Sequence, residues 1–331
     1  MRIPTNPDER EYFYLDLINK CEVSLEIRKN DYATLRSYFI FGNDPNSPPA
    51  HFNKIYPHID QLTSFLYSAE TTRFSINLGA PVPEKEHTKI PVLTQALNDE
   101  WLNSNADQVF STALTWSLVY NSTFVKLIYK DGISPFFVEP HAMGVLREDV
   151  PYLDRQEAFI QRYYITKSEL YSRLYSHPKR ESIVQRVMAV QHEKSEIPEA
   201  LDRIITSQVQ PTIYGNINID LNGIERYKPR VAEDTVEMTE LWVWNDETED
   251  YQIVTVADPK VVIYDREGEK VWLRGENPFI QICPNPQYDY FWGQSEVQKL
   301  IYLQDMRNKR MSEILDLLSK QVAPPKALIG F

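Results

Sequence analysis

The sequence predicts an α+β fold in which long helices precede and follow short antiparallel strands. Three observations predict it. Apolar residues recur at helical spacing in residues 8–41 and 89–119, Val, Ile, Trp and Tyr are abundant in residues 235–290, and a clear helix start lies at residue 295. At 331 residues, with 42% hydrophobic and 25% charged side chains, the chain is long enough for two or three domains with a buried core.

The amino-terminal part is predicted to be mixed, with helices first and strands after them. One or two helices end at Gly42, a second helical stretch covers about residues 55–69, and two consecutive helices cover residues 89–119. The segment TFVKLIYKDG alternates in polarity and ends in a turn signal, and SPFFVEPHAMGVL is predicted to pair with it.

The chain changes character after the predicted strand EAFIQRYYI. Thr166 or Ser168 is predicted to cap a helix that Pro178 interrupts, and a stretch rich in Gly, Asn and Pro then runs to about residue 230 and indicates a domain junction. Residues 235–290 are predicted to form a small antiparallel β unit, because turn clusters separate runs of strand-forming residues. This unit carries twelve acidic and four basic side chains, a net charge of −8.

The last helix has the clearest local signals in the sequence. Ser295 followed by Gln298 is a capping box, Glu296 lies where the helix dipole favours an anion, and the helix is predicted to end before Pro324. Residues 304–310 are polar almost all round, between two apolar ends. A helix of this kind is predicted to lie between neighbouring subunits and a solvent-filled space. Its apolar stripe comprises Val297, Leu300, Ile301, Met311, Ile314, Leu315, Leu318 and Val322.

Composition excludes several functional classes. The net charge of −12 argues against a free-standing, high-affinity DNA-binding protein, which needs clustered Lys and Arg. The first residues lack the apolar run of a signal peptide and no apolar stretch approaches the length of a membrane span, so we expect neither secretion nor membrane insertion. Cys21 and Cys283 lie far apart without a ligand-like spacing, which indicates a reduced cytosolic compartment and no zinc site.

Motifs of enzymes are absent from the sequence. It contains no GxG, no HxxxH or HxH pair and no GxSxG, so we expect no enzymatic activity, no cofactor and no metal. One alternative stays open: Glu237 and Glu240 beside Trp242 and Trp244 resemble the carboxylate pair and stacking residues of a carbohydrate-active enzyme, or of one that handles phosphate. A half-buried strand with a solvated acidic face is the interpretation we favour, and a generic structural interaction protein is a third.

The carboxyl-terminal segment NPFIQICPNPQYDYFWGQSEVQKLIYLQDMRNKRMSEILDLLSKQVAPP resembles the portal proteins of tailed bacteriophages. In that family an aromatic-Gly-x-Ser turn opens a helix that carries a Gln and an Asn, and a Pro-containing segment follows. Further similar stretches occur in the same order: ALTWSLVYNSTFVKLIYKDG, FFVEPHAMGVLREDV, FIQRYYITKSEL and VEMTELWVWND. Their order makes the resemblance more specific than any single stretch.

The resemblance implies a dodecameric ring at one capsid vertex, in the virion, assembled in the host cytoplasm. Residues 1–234 would be an α/β wing that includes the first stem helix near its end, 235–290 a small α/β clip, 291–322 a stem helix, and 323–331 the start of the tunnel loop. Implied partners are the terminase large subunit, the head-tail adaptor, the capsid protein and double-stranded DNA that passes non-specifically. Portal proteins continue beyond this loop, so we expect this chain to be part of a longer product that includes a further wing helix and a crown.

Charge segregation along the chain agrees with a conduit. Residues 296–331 carry six basic and four acidic side chains, whereas the remaining residues carry a net charge of −14. An acidic wall repels the phosphate backbone, and a few cations at a constriction touch it without reading bases. The candidates for DNA contact are Arg307, Lys309, Arg310, Lys320 and Lys326. The alternative for these residues is pairing with Asp305, Glu313 and Asp316 on the same helix or with a neighbouring subunit.

Two further sets of residues are predicted to make contacts between proteins. The acidic β unit is predicted to dock a basic motor or adaptor by complementary charge, with Trp242 and Trp244 either packing the unit or anchoring the partner. The docking candidates are Glu247, Glu249, Asp250, Trp242 and Trp244. In the last helix the residues predicted to pack against neighbouring stems are Leu300, Ile301, Met311, Ile314, Leu315 and Leu318.

Overall fold

Seven α-helices and two antiparallel sheets make up the part of the chain that the structure describes, which confirms the predicted α+β class. The computed structural model describes residues 1–44, 52–68, 74–76, 87, 89–129, 132–175, 177–189, 235–258, 260–265 and 276–322. The predicted first stem helix near the end of the wing, the tunnel-loop segment 323–331 and the candidate Lys326 lie outside these residues.

Four helices occupy the first part of the chain, close to where the sequence predicts them. They are α1 (Pro7–Phe41), α2 (Ile55–Leu66), α3 (Lys89–Asn103) and α4 (Ala106–Tyr120). At the start of α1, Asn6 Oδ1 accepts a hydrogen bond from Asp8 N at 3.3 Å, and Pro7 occupies the first turn. At its end Gly42 adopts φ +68° and donates its N–H to Tyr38 O, so the prediction that this helix stops at Gly42 is confirmed.

A three-stranded sheet follows α4. Strands β1 (Thr123–Tyr129) and β2 (Ile133–Val138) form the predicted hairpin, and β8 (Phe279–Ile282) pairs with the other edge of β1. The strand order is therefore β2-β1-β8, and residues far apart in the sequence complete this sheet.

A five-stranded sheet in the order β3-β4-β5-β6-β7 forms the centre of the molecule. Its strands are β3 (Met143–Val145), β4 (Ala158–Thr166), β5 (Thr235–Asn245), β6 (Asp250–Ala257) and β7 (Val261–Asp265). β4 and β5 are antiparallel from the pair Ala158–Val243 to the pair Thr166–Thr235.

The strands of residues 235–290 do not form a sheet of their own. β5 lies between β4 and β6, and β8 joins the hairpin of the other sheet, so both sheets combine strands from before and after the segment at 190–234. This corrects the expectation of a self-contained β unit over residues 235–290. The physical reason is that β5 is buried on both faces and needs a hydrogen-bonded partner on each edge.

Two layers cover the five-stranded sheet. One face packs on α1 through residues such as Ile160, Leu241 and Val254. The other face packs on the three-stranded sheet and an aromatic turn, where Phe159, Trp242 and Phe279 meet in stacked and edge-on contacts. The core is therefore continuous across both sheets.

Three more helices complete the described part of the chain, and two of them cover the rest of the five-stranded sheet through residues such as Leu170, Ile183 and Val187. α5 (Lys167–Arg173) begins at Thr166, whose Oγ1 accepts a hydrogen bond from Glu169 N at 3.1 Å, which confirms the predicted cap. α6 (Arg180–Ala189) begins after Pro178, as predicted. The last helix, α7 (Glu296–Val322), packs by its first turns against α1, α2 and α4.

Candidate functional site

The start of α7 is anchored in the core by an aromatic turn. Phe291 and Trp292 are buried, and Gly293 follows with φ +68°. A Cβ atom at Gly293 would lie 2.5 Å from Cys283 Sγ, so only glycine fits this position. Ser295 Oγ accepts a hydrogen bond from Gln298 N at 3.2 Å and donates one to Val119 O at 2.7 Å. The predicted cap is confirmed, and it also ties α7 to the end of α4.

A buried cation holds this turn against α1. Arg28 Nη1 lies 2.6 Å from Glu148 Oε1, and the same oxygen accepts a hydrogen bond from Trp292 Nε1 at 2.9 Å. The guanidinium carbon of Arg28 lies 3.3 Å from the centre of the Trp292 ring. Sequence reasoning missed this cluster, because nothing in the local pattern around Arg28 or Glu148 indicates which distant residue each one contacts.

The first half of α7 packs within its own chain. Val297 is buried, and Leu300 and Ile301 are half-buried against α1, α2 and α4. Gln304 is only 3% exposed, although it opens the segment that the sequence predicts to be polar almost all round. The predicted stem-packing residues Leu300 and Ile301 therefore contact the same chain.

The second half of α7 extends past these contacts. Met311 is half-buried, and the side chains of residues 312–321 are all exposed. Among them are three predicted stem-packing residues, Ile314, Leu315 and Leu318, and Leu318 is 51% exposed. We call residues 311–322 the distal segment. Between residues 312 and 321 its apolar side chains are exposed in the described part of the chain.

One stripe with a 3.5-residue repeat runs along the whole helix. We call it the seam; its residues, at alternating spacings of four and three, are Val297, Ile301, Gln304, Asn308, Met311, Leu315 and Leu318. This spacing is typical of helices that pack along a common supercoiled contact. The chain itself covers the first part of the seam and leaves Leu315 and Leu318 exposed.

A second apolar surface lies beside the seam. It comprises Leu303, Met306 and Leu317, all exposed, and Leu317 is 61% exposed. Leu317 and Leu318 are consecutive, so their side chains project about 100° apart around the helix. The distal segment thus presents apolar side chains in two directions.

The cations predicted to contact DNA do not share one face of α7. Arg307 is half-buried, with its guanidinium carbon 5.8 Å from the centre of the Phe52 ring. Lys309, two residues on, is exposed and projects about 200° away from it. Arg310 pairs with Glu313 at 2.9 Å, as the alternative interpretation expected. The described candidates therefore project to different sides of α7, and their contact with DNA stays a prediction.

The docking candidates of the acidic unit differ in how exposed they are. Trp242 is buried and stacks on Phe159 with ring centres 6.0 Å apart, so it packs the core and is not available to a partner. Trp244 is half-buried. Glu247, Glu249 and Asp250 lie in or beside the turn that joins β5 and β6. A groove of about 420 Å³ lies beside this turn. It is lined by acidic, aromatic and cationic groups: Met1, Asp154, Arg155, Gln156, Glu157, Trp244, Asp246 and Tyr251.

The carboxylates of the enzyme alternative lie on opposite faces of β5. Glu240 Oε2 is 2.6 Å from Lys126 Nζ, on the face toward the three-stranded sheet. Glu237 Oε1 is 3.4 Å from Arg162 Nε, on the face toward α1. Because strand residues an odd number apart project to opposite sides, these two groups cannot flank one scissile bond.

Neither a metal-binding cluster nor a membrane-spanning helix occurs in the described residues. They contain no group of three or more His, Cys, Asp or Glu side chains arranged to hold a metal ion. None of their helices combines the length and the apolar character that crossing a bilayer requires.

No protein-family model and no curated protein matches the chain. Its function is therefore inferred from the geometry of α7 and the charged surfaces described above.

Proposed function

We propose that this chain is a subunit of a portal, a ring at one vertex of a bacteriophage capsid through which double-stranded DNA enters and leaves. The observation that carries the proposal is the distal segment of α7, which continues a regular packing seam and leaves Leu315 and Leu318 uncovered by the described residues. Exposed apolar side chains in this number are unusual on a monomer and indicate a protein interface.

Because α7 presents apolar side chains on two different sides, a ring is favoured over a twofold dimer. In a twofold dimer each subunit uses the same surface, whereas a ring needs two different surfaces that fit each other. The seam residues Leu315 and Leu318 and the second-surface residues Leu303, Met306 and Leu317 provide such a pair. We propose that the seam of one subunit contacts the second surface of the next.

The polar side of α7 fits a channel that lets DNA slide. Asp305, Lys309, Asp316 and Lys320 are spaced four, seven and four residues apart, so they lie along one side of the helix. Two acids alternating with two lysines give no net positive charge. Tight binding by counterion release is therefore avoided, while Lys309 and Lys320 still touch phosphates in passing.

The turn between β5 and β6 is our candidate surface for the terminase large subunit and the head-tail adaptor. Glu247, Glu249 and Asp250 place three carboxylates there, next to the groove that Trp244 lines. Arg2 lies 3.4 Å from Glu247 and offsets part of this charge. A basic partner would be steered to this surface by complementary charge. Contact with the capsid protein and a place in the virion follow from the same proposal.

Imaging of the purified protein tests the proposal directly. Electron microscopy and native mass spectrometry are expected to show a closed ring with a central hole, twelve subunits being the expected number. A monodisperse monomer at micromolar concentration contradicts the ring, and a two-subunit particle contradicts the use of two different surfaces.

Cysteine pairs identify the surfaces that meet. In the Leu317→Cys/Leu318→Cys variant each subunit carries one thiol on each surface, so oxidation is expected to give a ladder of covalent oligomers. Each single variant is the control. Its one introduced thiol faces a surface of the next subunit that carries no thiol, so no ladder of covalent oligomers forms. A single variant that forms covalent dimers indicates a twofold contact and overturns the proposed arrangement.

A further inference from the structure

Three amide side chains bond backbone groups where α7 crosses the carboxyl-terminal end of α1 and the amino-terminal end of α2. They belong to Asn53, which precedes α2, and to the seam residues Gln304 and Asn308. Gln304 Nε2 donates to Phe52 O at 2.9 Å and to Asn308 Oδ1 at 2.8 Å, and its Oε1 accepts from Lys54 N at 3.2 Å. Both of its amide hydrogens and its oxygen are therefore engaged, at a position 3% exposed.

Asn308 and Asn53 extend this contact to the end of α1. Asn308 Nδ2 donates to Gly42 O at 2.8 Å, and Asn53 Nδ2 donates to Phe39 O at 2.7 Å. Asn53 Oδ1 accepts from Ile55 N at 2.9 Å, in the first turn of α2. The last carbonyls of one helix and the first N–H groups of another lack partners within their own helices, and here amide side chains supply them.

The position of the cluster along α7 gives it a geometric consequence. It lies between the covered part of the seam and the distal segment. Apolar contacts alone tolerate sliding and rotation of one helix on another, whereas a buried amide at a seam position favours one register. A shift of α7 by one turn, about 5.4 Å, would break the three hydrogen bonds that join it to the rest of the chain, which are Gln304 to Phe52 O, Lys54 N to Gln304, and Asn308 to Gly42 O.

We propose that Gln304 and Asn308 are positioning residues that set the single direction in which the distal segment leaves the body of the chain. The cluster also explains why Gln304, in the polar middle of the helix, is buried. The inference concerns one chain and does not depend on ring formation.

A distance measurement between two spin labels tests this role. One label is attached at Ser319→Cys on the distal segment and the other at Tyr12→Cys on α1, whose native side chain is 75% exposed. Both cysteine substitutions are made in a Cys283→Ala background, so that the label does not react there, and the native Cys21 is buried. Labelled protein is mixed with an excess of unlabelled protein, so that only distances within one chain are measured. The parent is expected to give one narrow distance distribution. Gln304→Met/Asn308→Leu is expected to broaden it by about twofold or to split it into two populations.

Two further variants separate positioning from stability. Val297→Ala removes buried apolar contact from the same seam, so it is expected to lower stability while the distance distribution stays narrow. Asn308→Ala, at a half-buried position, is the milder positioning variant and is expected to broaden the distribution without loss of folding. The proposal is overturned if the amide variants lower stability as Val297→Ala does but keep the parental distance and width. If the parent protein forms no ring, the distance distribution within one chain can still be measured. The missing ring then counts only against the proposed function.

Discussion

The guanidinium of Arg28 lies face-on over the indole of Trp292, 3.3 Å from the ring centre, and both groups share the carboxylate of Glu148. Arg28 is 3% exposed, so its charge is almost entirely removed from water. The contact joins α1 to the turn that starts α7. The direction of α7 is thus determined at its first turn by this cluster and further along by Gln304 and Asn308.

Removal of Glu148 is expected to destabilise the fold strongly. Glu148→Ala leaves a buried cation without its carboxylate and the Trp292 N–H without an acceptor, which costs about 3 kcal/mol in the free energy of unfolding. Arg28→Met/Glu148→Ala is expected to be more stable than Glu148→Ala, because no uncompensated charge remains. Urea unfolding measures both. A double variant less stable than the single one would show that the stacking of Arg28 on Trp292 outweighs the cost of its buried, unpaired charge.

Gly293 is expected to tolerate no side chain. Its φ of +68° is costly for any other residue, and a Cβ would lie 2.5 Å from Cys283 Sγ and 2.6 Å from Asn285 O. Gly293→Ala is therefore expected to lower the free energy of unfolding by at least about 2 kcal/mol. Cys283→Ala is the matched second change: it removes the contact with sulfur but not the contact with the carbonyl, so it should restore only part of the loss in urea unfolding. Full restoration would show that the backbone conformation is unstrained.

The carboxylate at the start of α7 is expected to make stability depend on pH in acid. Burial opposes ionisation of Glu296, but the Lys299 ammonium at 2.8 Å, with Asn285 and His58, outweighs it and lowers the pKa of Glu296. A lowered folded-state pKa stabilises the fold above the ordinary value of about 4.3, and this contribution is lost as the pH falls through the folded value.

Titration by NMR checks this expectation. Lys299→Met is expected to raise the pKa of Glu296 and to reduce the loss of stability on acidification. Lys309→Met, which removes an exposed lysine elsewhere on α7, is the control and should leave the Glu296 pKa unchanged. An equal shift in both variants would assign the effect to net charge and not to the contact with Lys299.

Local signals in the sequence predicted the ends of elements well. Gly42, Thr166 and Ser295 act through contacts within a few residues, so their roles can be read from neighbouring letters. The partner of β5 could not be read in this way, because the choice between β4 and a strand inside residues 235–290 is made by packing across the sheet. The sequence therefore predicted the strands but not the sheets they join.

The polar middle of α7 shows a second limit. Gln304 and Asn308 look solvated because amides usually are, but here they meet unpaired backbone groups that only the tertiary fold brings to them. Their spacing from Ile301 and Met311 continues the seam, and that regularity is the one signal that could have placed them on the packed side. Tryptophans on strands usually fill cores, which favours packing for Trp242 over contact with a partner, and the structure buries it in the core.

Substitutions along the seam are expected to separate folding from assembly. Val297→Ala, at a buried position, should lower the free energy of unfolding by roughly 2 kcal/mol, because it removes buried carbon atoms and leaves a cavity. Leu318→Ala, at a position 51% exposed, should change it by less than about 0.5 kcal/mol and yet weaken the ring. Urea unfolding under dissociating conditions and native mass spectrometry measure the two effects. An intact ring in Leu318→Glu, a harsher change at the same site, would exclude this surface from the interface.

The lysines and arginines of α7 are expected to respond differently to charge reversal because they project to different sides. Lys309→Glu/Lys320→Glu changes only exposed groups, so stability should stay within about 0.5 kcal/mol while DNA packaging into capsids slows. Arg307→Glu places an anion at a half-buried position beside Phe52 and should cost about 1–3 kcal/mol of stability. Arg310→Glu is the control for exposed charge, since it loses only the pair with Glu313 and gains a repulsion of about 0.5 kcal/mol. If Arg310→Glu slows packaging as much as the double lysine variant does while the ring stays intact, net charge explains the effect, and the side of α7 that carries Lys309 and Lys320 does not face the DNA.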